Sequence, residues 1–172
     1  MKTAREWVVE LAREPLRAGV ELIASQSGEK SLRVDGVLLH SRYRPREEAA
    51  RFVENAPLDR AKPVLVVGVG CGYHLEALIE RGYSAMAIEP DRCVAKCALE
   101  TALAGSEVLL HVGDPDALLG DDRFRAIVER GAQVLVHPPT ERLHPQYVAA
   151  VRGVVARAAV AEKRLGVAIV GP

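Results

Sequence analysis

From Pro63 onward the chain alternates short, uniformly apolar segments with amphipathic ones, and that alternation leaves few folds open. Residues 64–67 precede a helical pattern at 75–81, 85–88 one at 92–104, 108–112 one at 124–130, and 134–136 one at 146–164; 167–170 read as a fifth strand. Strands apolar on both faces need cover on both faces. Parallel strands joined by right-handed helical crossovers supply it, so the expected architecture is α/β, three layers around a mostly parallel sheet. Only 4% of the residues are aromatic, so Val, Leu, Ile and Ala must fill this core.

The residues before Pro63 follow other rules. Apolar positions Trp7, Val8 and Leu11 recur at helical spacing within 3–13, and Pro15 ends the pattern. Segments 20–23 and 32–39 are β-prone, the second interrupted by the turn pair Asp35-Gly36. Pro45 suits a first helical position, and Ala49, Ala50, Phe52 and Val53 form its buried stripe up to Pro57. The chain thus divides into a helical and hairpin lead-in at 1–57 and an α/β domain at 58–172. The domain stops directly after its expected last strand, which predicts a fold truncated at its C-terminal end, with more chain in the natural protein.

Charge excludes several functions. Lys and Arg number 23, Asp and Glu 23, so no net field draws the chain to nucleic acid or to an anionic membrane. No apolar run approaches the roughly 20 residues of a membrane span, and Arg and Glu break up the first 15 residues, unlike a secretory leader. Three cysteines without framework spacing fit reduced thiols, so a cytoplasmic protein is expected. Cys93 and Cys97 share a helix face but have no spaced ligands to complete a metal set. His74, Glu76 and Glu80 lack the His-Glu-x-x-His order of a metalloprotease helix, so no metal is expected.

The strongest local signal is Gly68-Val-Gly70-Cys-Gly72-Tyr73-His74, where a buried strand runs through glycines into a helix. Such glycines allow tight turning and close approach of a ligand to backbone N–H groups. The dinucleotide fingerprint asks for a third Gly where Tyr73 stands, so it is not met. The Gly-x-Gly-x-Gly spacing resembles the first motif of class I S-adenosylmethionine-dependent methyltransferases, which implies a Rossmann-like, methyltransferase-like domain. In that pattern Glu89, ending the second strand, meets a ribose diol, and Asp114, after the third, lies beside the adenine. Gly68, Gly70, Gly72, Tyr73, Glu89 and Asp114 are therefore the candidate cofactor-binding residues, with S-adenosylmethionine or a nucleotide as the ligand. The pattern is incomplete: Val66 and Val67 stand near where an acid is usual. His137-Pro138-Pro139-Thr140 matches the position of an amino-group methyltransferase motif but not its chemistry, so the prolines are read as steering the chain out of a strand.

A second loop, His40-Ser41-Arg42-Tyr43-Arg44-Pro45, is dense in hydrogen-bonding and cationic groups and reads as a ligand or partner loop. Taken with the glycine loop and Ile88-Glu-Pro-Asp, it resembles the N-terminal region of motility accessory factor (Maf) type flagellin glycosyltransferases. That family pairs a Leu-His-Ser-x-Tyr-x-Pro stretch with a Gly-x-Gly-x-Gly-Tyr-His loop. The resemblance runs from about Val34 to the C-terminus and includes His137-Pro138 and His144-Pro-Gln-Tyr147. It implies a Rossmann-like domain followed by a separate transferase domain absent from this chain, and no catalytic residue carries over. Three readings follow: a nucleotide-binding or accessory domain of such a transferase, a small methyltransferase, and a non-catalytic interaction module. The last would show a glycine loop closed over by its own side chains, such as Tyr73 or His40.

Overall fold

The computed structural model describes residues 1–167, with side chains described to 161. The expected alternation is present: β5 (Val64–Val67), α3 (Tyr73–Glu80), β6 (Ala85–Glu89), α4 (Arg92–Leu99), β7 (Leu109–Val112), a 3₁₀ turn (Pro115–Gly120), α5 (Asp122–Glu129), β8 (Gln133–Val136), α6 (Pro138–Leu143) and α7 (Pro145–Val167). Strands β5 to β8 are parallel in the spatial order β7-β6-β5-β8, the Rossmann-like arrangement. The order reverses between β5 and β8. A crevice at the carboxyl ends of those two strands is where open α/β sheets bind ligands. The expected fifth strand at 167–170 lies outside the described residues apart from Val167, which closes α7.

Alternate strand residues enter two separate cores. Val64 and Val66 of β5 pack with Trp7, Val53, Leu75 and Leu78 on one face, while Leu65 and Val67 pack with Phe124, Val148 and Val151 on the other. The lead-in belongs to the first of these faces. There β2 (Val20–Ala24), β3 (Lys30–Val34) and β4 (Val37–Leu38) make a three-stranded antiparallel sheet, and α2 (Pro45–Asn55) follows. Asp35 and Gly36 both take positive φ, 48° and 83°, as a two-residue hairpin turn requires.

Three local features depart from the sequence reading. Residues 2–3 form an edge strand, β1 (Lys2–Thr3), antiparallel to β7, where strand propensity is too short-ranged to be seen. The first helix, α1 (Ala4–Leu11), is shorter than 3–13, and Thr3 and Glu6 close a capping box that sets its start. Helix α4 ends at Leu99, not near 104, because Thr101 Oγ1 turns back onto the Cys97 and Ala98 carbonyls and the Leu103 N–H bonds Ala98 O. Among the described residues no helix is long and apolar enough to cross a membrane.

Candidate functional site

The glycine loop joins β5 to α3, and its three glycines hold φ of 89°, 51° and 87°, values that an L side chain adopts only with strain. Each glycine has a second reason to lack a side chain. A Cβ at Gly68 would overlap Thr140, one at Gly70 would overlap the His40 ring, and one at Gly72 would stand 2.7 Å from Leu103 Cγ. Four of the loop's backbone donors are also engaged from within. The Val69 N–H donates to Glu89 Oε2 (2.8 Å), the Cys71 N–H to His40 Nε2 (2.8 Å), the Gly72 N–H to the Val69 carbonyl and the Gly68 N–H to the Ile88 carbonyl. Tyr73 turns away from the loop and donates its hydroxyl to the Lys30 carbonyl (2.7 Å), tying α3 to the hairpin sheet.

The two acids singled out in sequence occupy different surroundings. Glu89 is 1% exposed, and its other oxygen accepts the Asp91 N–H at 3.0 Å. Burial pushes its carboxyl up to about 8, against the pull of the two amides. Asp114 is exposed and caps the 3₁₀ turn by accepting the Asp116 N–H. Beside Glu89, Asp91 caps α4 and pairs with Arg17, which forks onto Asp35 of the hairpin.

His40 is one of three buried histidines that meet at the carboxyl ends of β5 and β8. His40 comes from the connector after β4, His74 from the first turn of α3, and His137 from the end of β8, where it opens α6 ahead of Pro138. Their exposures are 3%, 1% and 5%, their ring centroids lie 4.7–5.9 Å apart, and one ring nitrogen from each falls within 4.8 Å of the others. Burial drives all three toward the neutral form: His40 falls to about 3, His74 to about 4, and His137 well below the usual imidazole range.

Hydrogen-bond partners then fix the tautomers of His74 and His40. His74 Nε2 faces the Gly68 carbonyl at 2.8 Å, so it must carry the proton, and Nδ1 is left with a lone pair. Among the described residues that Nδ1 is the one buried side-chain polar atom without a hydrogen-bond partner. His40 accepts at Nε2 and so carries its proton on Nδ1, while His137 Nδ1 lies 3.1 Å from Thr140 Oγ1.

The histidines form one side of a pocket of about 240 Å³ whose other walls are Glu48, Ala49, Phe52, Pro138 and Pro139. A shallower depression of about 380 Å³ shares His40, Glu48 and Pro139 with it and adds Ser41, Arg42, Tyr43 and Arg142. Ser41 Oγ accepts the Tyr43 N–H, and the Ser41 N–H reaches Glu48 Oε1, which shapes this loop. Arg42 and Arg142 make no ion pair among the described residues. The structure thus brings His40 onto the glycine loop, sets Arg42 and Tyr43 outward beside it, and leaves Asp114 apart on a helical cap. His74, His137 and Thr140 were not singled out as partners of His40. Nothing in their spacing signals the cluster, which exists only once β5 and β8 lie side by side.

No family model matches the chain. Over 75 residues it is 36% identical to an uncharacterized protein of Treponema pallidum (strain Nichols), a match spanning 41% of this chain and 26% of that protein. Among solved structures it superposes on the MAf glycosyltransferase from Magnetospirillum magneticum AMB-1 with a TM-score of 0.55 at 16% identity, over 90% of this chain and 34% of that one. The fold is Maf-like. This chain spans about a third of the length of that transferase and about a quarter of the Treponema protein.

Proposed function

We propose that this chain is the Rossmann-like domain of a Maf-type protein glycosyltransferase, and that it serves as an accessory or binding module while glycosyl transfer is carried out elsewhere. The observation that carries the reading is the glycine loop. Its side-chain space is filled by Thr140, His40 and Leu103, and its Val69 and Cys71 amides are taken by Glu89 and His40. With those two amides engaged and its side-chain space filled, the loop offers a phosphate or the methionine end of S-adenosylmethionine fewer donors than an open glycine loop would. A Glu89 whose two oxygens already hold backbone amides has little to give a ribose diol. The likeness of fold to a MAf glycosyltransferase and the paired His40-to-Pro45 and glycine-loop motifs support the assignment to that class of protein. Ser41, Arg42 and Tyr43, which border a polar depression, are then the face through which the module meets a ligand or the rest of the transferase.

A thermal-shift screen tests this reading, because any ligand that binds the folded state alone raises its melting temperature by mass action. S-Adenosylmethionine, S-adenosylhomocysteine and CMP-linked or other nucleotide-sugars should leave the transition in place. A saturable upward shift with S-adenosylhomocysteine would overturn the reading in favour of a methyltransferase, and one with a nucleotide-sugar would make the loop a substrate site.

A further inference from the structure

Three of the chain's five histidines are buried together, and a buried imidazole is a poor filler unless both ring nitrogens have partners. His74 Nδ1 has none among the described residues. We propose that His40, His74 and His137 bind a divalent transition metal, zinc foremost, at the switch point between β5 and β8. The His40–Cys71 hydrogen bond also enters the proposed function, but the metal stoichiometry and the histidine variants test the site independently of it.

The donor set suits the ion. Neutral imidazole is the commonest side-chain metal ligand and suits zinc, copper, iron and nickel, and none of the three cysteines belongs to the cluster. His74 already shows the arrangement of a metal ligand: one ring nitrogen donates to a backbone carbonyl and the other is bare. Tetrahedral zinc at about 2.0–2.1 Å from each nitrogen sets those nitrogens about 3.3 Å apart, so closing the cluster calls for ring shifts of about an ångström. The pocket beside the rings, walled by Glu48 and Phe52, gives the ion a way in and leaves one side of it uncovered by histidine.

One existing bond must give way. If His40 coordinates through Nε2, the lone pair that now holds the Cys71 N–H is used. If it coordinates through Nδ1, the proton moves to Nε2 and faces that same N–H. By either route the Cys71 amide loses its acceptor. The loss of a single hydrogen bond is small beside coordination by three neutral nitrogens. Metal loading is therefore coupled to the glycine loop.

The test is to titrate the chelator-stripped full chain with zinc by calorimetry and with cobalt by visible absorption, while following the Cys71 amide by NMR. The expected result is one equivalent bound, cobalt bands of a nitrogen-rich low-coordinate site, and a large shift of the Cys71 amide. His74→Gln and His137→Gln should each weaken zinc by at least about 100-fold, the upper end of what losing even an outer-shell partner costs. A variant lacking both other histidines, His111→Gln with His144→Gln, should bind as the parent does. Absence of saturable binding would overturn the proposal, as would undiminished affinity in His74→Gln or zinc binding that leaves the Cys71 amide unmoved. Should His74→Gln fail to fold, the cobalt spectrum and the amide shift of the unaltered chain decide the matter.

Discussion

Replacing Gly70 by alanine separates the two reasons for a glycine at that position. The backbone there sits at φ 51°, so a Cβ alone costs about 1 kcal/mol. The same Cβ would overlap His40 Nε2 and lie 3.0 and 3.1 Å from Cε1 and Cδ2 of that ring. The ring must swing out, and the Cys71 N–H, buried in the loop, loses its acceptor at a cost of about 2 kcal/mol. The expected total is about 3 kcal/mol. For a chain of this length that lowers Tm by roughly 6–12 °C. Gly28→Ala is the control, because it has the same sign of φ and open space around its Cβ, so it should cost only about 1 kcal/mol. The decisive comparison is the double variant Gly70→Ala with His40→Ala, measured by urea denaturation. Removing the ring removes the clash, so the two changes should be non-additive by about 1–3 kcal/mol. Additive costs would mean that His40 does not fill the loop, and the argument for a self-closed site would fail.

Other outcomes follow from the same geometry. The share of stability that depends on the three buried histidines should be fully present above about pH 6.5 and be lost as pH falls toward 4. The three histidines bind protons in the unfolded chain before they do in the folded one, so each weakens the folded state as pH falls through that window. Glu89, whose carboxyl is pushed up to about 8, acts with the opposite sign between about pH 4.5 and 8, so Glu89→Gln should steepen the loss seen by urea titration at stepped pH. That substitution should also cost about 1–3 kcal/mol at neutral pH, since one of the Val69 and Asp91 amides then faces an NH₂ group. A thiol reagent at pH 8 should label one cysteine, the half-buried Cys93, before unfolding. Burial holds Cys71 and Cys97 in the thiol form, up to about 12, so rapid labelling of all three would contradict the packing. Arg17→Ala, which removes a partly exposed bridge from Asp91 to Asp35, should cost no more than about 1 kcal/mol by the same assay.

The layered fold was legible because strand positions such as Val64–Val67 are apolar at every residue and their connections carry helical spacing, two patterns that need no knowledge of distant contacts. The Asp35-Gly36 turn was legible for a similar reason, since its chemistry is local. The edge strand at Lys2–Thr3 was not, because only its pairing with Leu109 and Leu110 makes it a strand. The glycine loop was found from its spacing, but what fills it came from Thr140 and His40, residues whose approach depends on β8 lying beside β5 and on the hairpin folding over α3. In sequence, Pro138 and Pro139 read as a chain exit. They are that, but as the first turn of α6 they also bring His137 and Thr140 onto the loop. A motif that reads as a ligand site can therefore be filled by its own chain, and only the three-dimensional neighbours reveal it.

The most direct test of the self-closed loop follows the Val69 and Cys71 amide resonances of the metal-free chain while S-adenosylhomocysteine, and separately a CMP-linked sugar, is added to millimolar concentration. Both amides are expected to stay in place and to exchange slowly with solvent, because Glu89 and His40 hold them. Saturable movement of both resonances with either ligand would show that the loop opens to bind it, and would contradict the account.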